Sequence, residues 1–332
     1  MRDHVQSALD PAADSGAALI NQLGTVLYIG AAAIFLLVMT LAVLAVIRKG
    51  ADINVRRWIV GGGLVFPIAT LSALLIYSLA VGNALNAIGS KNALQLFLDC
   101  FGGGDSNASE PSDELVRIHV DGKQWWWEVR YERVAGAGEI VAANEIRIPT
   151  DTPVEFVLTS SDVIHSFWIP SIAGKVDMIP GRTTRLRVQT SERAKYRGVC
   201  AEYCGAQHAL MAFSVVTQTP AEFDAWLSRQ TQVVNEPTEP FLKTGFDAFF
   251  RGGCQGCHTI RGTRAAGQLG PDLTHVGSRE SLAAGVLDNH IGTMAGWIAG
   301  AQDVKPGNKM PSERQFTGLE LRALAAWLGS LE

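Results

Sequence analysis

Two uncharged apolar stretches limit what this chain can become. VLYIGAAAIFLLVMTLAVLAVI, residues 26–47, and the run from Trp58 to Val81 contain no Asp, Glu, Lys, Arg or His. A helix needs about 20 consecutive apolar residues to cross a bilayer, so both stretches predict membrane spans. A secretory leader has an apolar core of only about 7–15 residues, and Met1–His4 is barely basic, so the first stretch is read as a span and not as a cleaved leader. The connection between the spans carries Arg48, Lys49, Arg56 and Arg57 against Asp52 alone, whereas the outer flank is neutral or acidic, with Asp10 and Asp14. Excess Lys and Arg mark the cytoplasmic side. The connection is therefore expected in the cytoplasm, with both termini and everything after the second span on the opposite face.

The texture then changes. Gly102-Gly103-Gly104 and the Ser/Asn/Glu/Pro stretch to Pro111 predict a flexible joint. Short runs rich in Val, Ile, Thr and aromatics follow, at 115–120, 124–131, 145–148, 154–158, 184–189 and 213–217, separated by turn residues such as VDGKQ and MIPGR. That is the pattern of an all-β sandwich or barrel. PAEFDAWLSR, residues 220–229, predicts a closing helix, and TQVVNEPTEP, residues 231–240, a linker. Beyond it, 241–251 and 318–331 space apolar residues helically around glycine-rich loops, which predicts a small, mostly helical domain. The expected segments are a membrane hairpin in 1–104, a β-domain in 105–230, a linker in 231–240 and a helical domain in 241–332. A net charge of −4 over 332 residues argues against a nucleic-acid partner, which needs a basic surface.

Four of the five cysteines sit in two short motifs. In GVCAEYCGAQHALMAF, residues 198–213, Cys200, Glu202, Cys204, His208 and Met211 fall close together. Thiolate and thioether sulfurs are soft ligands and imidazole is intermediate, a set that suits copper, zinc or iron–sulfur. Structural zinc sites favour paired CxxC ligands, which this spacing lacks, and methionine points to copper in electron transfer. Two thiolates can bridge two copper ions, and such a pair needs a second histidine. His165, in DVIHSFWIP, is the candidate, with His119 on a strand. The alternative is a Cys200–Cys204 disulfide with His and Met as core residues.

C-x-E-x-C-x3-H-x2-M, with the upstream H-S-F-W-x-P and V-D-M-I-P-G-R, resembles the binuclear copper A domain of cytochrome c oxidase subunit II, and the likeness extends through QWWWEVRY and the membrane hairpin, over residues 25–218. It implies a cupredoxin-like Greek-key barrel in which Cys200 and Cys204 bridge the coppers and His165 and His208 bind one each. Met211 and the Glu202 carbonyl are then weak ligands, and the Glu202 carboxylate faces a Mg2+ site shared with subunit I. Trp125 becomes the residue where electrons come in, set against simple packing of three consecutive tryptophans in a strand.

Cys254-Gln255-Gly256-Cys257-His258 is the CxxCH signature of covalent haem c. The thiols form thioethers and His258 binds the iron. A downstream methionine is expected as sixth ligand. Met310, on the Pro-bounded loop PGNKMP, suits that role, whereas Met294 in TMAGWIA reads as helix core. Gly270-Pro271-Asp272-Leu273 resembles the class I cytochrome c loop whose proline carbonyl holds the proximal histidine. His275 and His290 are read as ordinary histidines. The fused haem domain is similar to that of caa3-type oxidases.

Neither span holds a histidine or an acid, so the oxygen-reducing centre belongs to a partner subunit. Asp52 is the one carboxylate near the start of the second span, and its part in a proton channel stays open. Cys100 is read as a free thiol. The resemblance implies a bacterial inner-membrane oxidase subunit with its copper and haem domains on the periplasmic side. It would pair with subunits I and III, take electrons from cytochrome c or another reductase, and serve a complex that translocates protons. A stand-alone membrane electron carrier and a copper-delivery protein are the rival readings. A quinol-oxidase subunit would lack the copper ligands.

Overall fold

A computed structural model describes residues 2–48, 54–86, 115–132 and 139–332. Lys49, Asp52, Cys100 and the joint at 102–111 lie outside the described residues. The described chain forms two compact units, residues 16–86 and residues 2–15 with 115–332.

The first unit is helical. Gly16–Ile47 is one helix, and a second helical stretch runs through Val55–Arg57, a π-helical Trp58–Val65 and Phe66–Asn86. Pro67 has no N–H to offer the preceding turn, which accounts for a change of helical register just before it. Asn54 caps the stretch by accepting from the Arg57 N–H. Both helices are long and apolar enough to cross a membrane, and they carry apolar residues on every side, as lipid-facing helices do. The first begins at Gly16, ten residues before the apolar run anticipated from sequence.

The second unit holds a β-sandwich and a helical domain. One sheet has the order β5 (Glu145–Pro149), β11 (Ala212–Gln218), β10 (Ala194–Cys200), β7 (His165–Trp168) and β8 (Val176–Met178), with β1 (Arg2–Val5) also paired to β10. The other has the order β4 (Ile140–Ala143), β3 (Trp126–Tyr131), β2 (Val116–Lys123), β6 (Val154–Ser160) and β9 (Thr184–Val188). Alternate residues of both sheets fill the core, where Trp127, Phe167 and Phe213 meet with ring centroids 4.7–5.7 Å apart. Gly198 lies against this cluster, where a Cβ would meet the Phe213 ring at 2.1 Å.

Two local expectations change. The turn lies at Gln124–Trp125, because VDGK continues β2 in register with β6, Asp121 opposite Thr159. Trp125 is therefore a turn residue, and only Trp126 and Trp127 alternate on a strand. Residues 2–15 also join the sandwich: β1 runs parallel to β10, Ala12 is fully buried, and its N–H donates to the Ser171 carbonyl at 2.7 Å.

Helix Pro220–Gln230 closes the sandwich with a Thr219/Glu222 capping box. The helical domain is built from Pro240–Arg251, Ile291–Val304 and Gly318–Gly329. Gly245 lets the first and last cross tightly, since a Cβ there would meet the Ala323 carbonyl oxygen at 2.1 Å. Two small ladders, β12–β13 (Thr259–Ile260, Ala265–Ala266) and β14–β15 (Ser281–Leu282, Leu287–Asp288), lie in the loops of this mostly helical domain.

Candidate metal centres

The copper candidates converge at one end of the sandwich. His165 opens β7 and is fully buried. Its Nδ1 lies 3.8 Å from Cys200 Sγ, and its Nε2 lies 2.8 Å from Asp162 Oδ1. Cys200 closes β10, with Sγ 3.2 Å from the Glu202 carbonyl oxygen and 3.7 Å from Cys204 Sγ. Cys204 Sγ is in turn 3.7 Å from both His208 Nδ1 and Met211 Sδ. All six donors predicted from sequence thus form one connected group, and both cysteines are free. Glu202 itself is an exposed residue.

The loop is shaped by its own backbone. The Cys200 N–H donates to the Met211 carbonyl at 2.9 Å, tying the two ends together, and Gly205 takes φ +112°, a left-handed region that favours glycine. Gln124 Nε2 and Trp125 Nε1 both donate to the Cys204 carbonyl, at 2.9 and 3.0 Å. A two-residue turn therefore roofs the site, and Trp125 lies directly over the loop. Gly122 leaves room for the His165 ring, which a Cβ there would approach to 2.9 Å.

The electrostatics favour a cation. The Cys200 thiol is pulled down to about 3, first by the hydrogen bond from Cys204 and then by His165, against desolvation. Cys200 in turn pushes the Cys204 thiol upward, and burial adds to the shift. Two buried thiolates need positive charge between them, which fits soft metal ions on these donors. Burial opposes charging His165, but hydrogen bonds to Cys200 and Asp162 outweigh it and hold its pKa above the usual value.

The haem candidates are more open. Cys254 is half-buried, with its thiol raised to about 11 by burial, and Cys257 is exposed. His258 Nδ1 lies 2.8 Å from the Pro271 carbonyl, so Nε2 is the nitrogen left to bind iron. Burial holds this imidazole below its ordinary pKa, which keeps it neutral and ligand-ready. Gly270 packs on the ring, where a Cβ would meet His258 Cε1 at 2.6 Å, and Gly267 packs on the Cys257 backbone. These glycines shape a cradle for CxxCH and fit a covalently held haem. Met310 is half-buried against the domain core, its N–H held by Asn308 Oδ1 at 2.7 Å and its carbonyl by Gln302 Nε2 at 2.7 Å. Met294 is 3% exposed inside helix Ile291–Val304. His290 caps that helix, His275 Nδ1 meets the Glu332 carbonyl oxygen, and His119 pairs with Glu132.

Sequence reasoning missed Asp162, Gln124 and Lys305, whose buried Nζ donates to the Leu210 carbonyl beside Met211 at 2.9 Å. Asp162 had one signal, its position three residues before His165. The others act through fold contacts that no local motif records.

The family model for the cytochrome c oxidase subunit II periplasmic domain matches residues 116–218, and the cytochrome c model matches residues 242–332. The chain therefore carries a cytochrome c oxidase subunit II periplasmic domain followed by a cytochrome c domain. It is similar to cytochrome c oxidase subunit 2 of Alkalihalophilus pseudofirmus, 38% identical over 223 residues, which is 67% of this chain and 63% of that one. It is also similar to the subunits 2 of Bacillus sp. PS3 (33% over 238 residues, 68% of this chain and 65% of that one) and Bacillus subtilis (32% over 238 residues, 69% and 65%). The matched region thus spans a little under two thirds of these relatives. A subunit II domain implies copper A, and a cytochrome c domain implies haem c.

Proposed function

We propose that this chain is the electron-receiving subunit II of a bacterial respiratory haem–copper oxidase. When bound, haem c and the copper pair supply one-electron carriers between an external donor, cytochrome c or another reductase, and the oxygen-reducing centre of subunit I. Cys200, Cys204, His165 and His208, with Met211 and the Glu202 carbonyl, are the residues that would hold the copper pair. Cys254 and Cys257 would anchor the haem covalently, and His258 and Met310 would be its iron ligands. Asp162 orients the buried His165 imidazole, and the Pro271 carbonyl orients that of His258. The exposed Glu202 carboxylate is free to hold Mg2+ together with subunit I. The hairpin of apolar helices anchors the chain beside subunits I and III, with both cofactor domains on the periplasmic side of a complex that translocates protons. Trp125, lying over the Cys204 carbonyl, is the electron-receiving side chain of the copper domain.

The observation that carries this reading is the connected set of donors from His165 to Met211 around two free thiols. The test is low-temperature EPR of the full chain loaded with copper and haem, beside Cys200→Ser. The reading requires a seven-line copper hyperfine pattern, from one electron shared over two equivalent nuclei, that disappears in the variant. A four-line pattern would make this a single-copper protein and remove the oxidase assignment.

A further inference from the structure

A polar seam joins the β-sandwich to the helical domain. From the helical side come the β14–β15 hairpin and the loop after helix Ile291–Val304. The Ala212 N–H donates to the Ala284 carbonyl at 3.0 Å, and Arg197 Nη1 donates to the Gly285 carbonyl at 2.9 Å. The Glu280 N–H donates to Glu145 Oε2 at 2.7 Å, and Lys195 Nζ pairs with Glu280 Oε2 at 2.8 Å. Gln207 Nε2 donates to the Pro306 carbonyl at 2.5 Å, and Lys309 Nζ stands 3.8 Å from Asp162.

Lys305 is the centre of this seam. It is 3% exposed, and Nζ donates to the carbonyls of Leu210 at 2.9 Å, Ala283 at 3.1 Å and Trp125 at 3.5 Å. An ammonium carries three donors and no acceptor, so three carbonyls satisfy it. A buried charge without such partners would be costly, and this set exists only while the two domains stay together. The hairpin tip holds Ala283, Ala284 and Gly285 at φ +54°, +60° and +79°. Non-glycine residues keep left-handed backbone only where their surroundings impose it. Here the bonds from Lys305, Ala212 and Arg197 impose it.

The contacts cluster on the cofactor loops. Leu210 and Ala212 flank Met211, Gln207 precedes His208, Asp162 holds His165, and Trp125 roofs Cys204. On the other side, Lys305 begins the loop that leads to Met310. We propose that Lys305 is a positioning residue that clamps the sixth-ligand loop of the haem domain onto the copper-ligand loop, making the haem domain a fixed partner of the copper site in its own chain. The value of the clamp for electron transfer rests on the proposed function, whereas the clamp itself does not.

The test uses the full chain with both cofactors. Lys305→Met keeps the side-chain length and removes the donors. Lys195→Gln with Arg197→Gln loosens the same seam from the sandwich surface, in case the first variant fails to fold. Hydrogen exchange at Ala212 and Leu287, copper EPR, the haem optical spectrum and the rate of electron equilibration between the centres after flash reduction are compared. The clamp predicts at least tenfold faster exchange at Ala212 and at least tenfold slower equilibration, with both spectra intact. Exchange and equilibration within twofold of the parent in both variants would overturn it. A parent lacking the two-copper EPR signal would remove the functional reading alone, because the exchange result still decides whether the clamp exists.

Discussion

The candidate copper loop and the haem motif present their donors in opposite ways. The copper donors are gathered within a few ångströms, largely buried, roofed by Gln124 and Trp125 and tied by the Cys200–Met211 backbone bond. The haem donors are spread from Cys254 to Met310, with Cys257 at the surface and glycines lining the approach to His258. A caged site limits ligand movement when the charge on the metal changes. An open one leaves its thiols accessible while the porphyrin is joined to them. The comparison teaches that the sandwich supplies a finished cage, whereas the helical domain supplies a cradle completed by its cofactor.

The strongest way to break that contrast is Cys257→Ser. With one thioether lost, the full chain should retain no normally attached haem, read as absence of the c-type spectrum, while copper binding and its EPR signal persist. Loss of both centres would mean that the copper cage is not finished without the haem domain. Next in size is Met310→Leu, which removes the sulfur but keeps the volume. Covalent haem should remain, with its potential lowered by on the order of 0.1 V, within the roughly 0.8 V range that axial ligands command. Redox titration reads this, and an unchanged potential would disqualify Met310 as the sixth ligand.

The grouping of the candidate copper donors was legible in the sequence because five of them fall on one loop, and CxxCH stood out as a motif because covalent haem attachment needs those residues in that order. Six strands of the sandwich could be read from their β-branched and aromatic runs. Strand β10 could not, because AKYRGVC alternates small, charged and aromatic residues and acquires its apolar face only against Phe213. Nor was β1 visible, since RDHV has no strand pattern and its place comes from the edge that β10 leaves open. Lys305 was hidden for a further reason: a lysine in a Pro/Gly loop looks like a solvated residue until the three carbonyls around it are known.

A smaller effect separates the two kinds of glycine. Gly198→Ala puts a methyl into the Phe213 ring, and overpacking of this kind costs about 1–3 kcal/mol, so the sandwich should melt earlier with CxxCH untouched. Gly270→Ala instead pushes on the His258 ring, so it should change the haem spectrum more than the melting temperature. Calorimetry together with optical spectra separates them. Equal spectral changes in both variants would mean that the two sites are not independently built.

The smallest effect tests charge on the sandwich against charge on the helical domain. Glu155 has a side chain only 4% exposed and receives Arg187 Nε at 3.0 Å, Arg185 Nη1 at 2.8 Å and Arg117 Nε at 3.2 Å. Burial raises its pKa, but the hydrogen bonds from Arg187 and Arg117 and the charge of Arg185 outweigh it, and the net shift is downward from 4.5. A carboxyl depressed in the folded state binds protons less readily there than in the unfolded chain. Its stabilisation is therefore fully present above the unfolded value of 4.5 and is lost as pH falls through the folded value. Glu155→Gln should cost about 1.5–3 kcal/mol at pH 7, the range for hydrogen bonds to a charged group, with the half-exposed arginines favouring the lower end. The loss should shrink below pH 4. By contrast, Arg314 and Asp303 pair at 2.9 Å with side chains 71% and 67% exposed, and Arg314→Gln should cost about 0–1 kcal/mol at either pH. Urea unfolding of the full chain, followed by tryptophan fluorescence at pH 7 and pH 3.5, reads both. A Glu155→Gln loss that stays the same at the two pH values would assign the effect to side-chain packing and not to the ionised carboxylate.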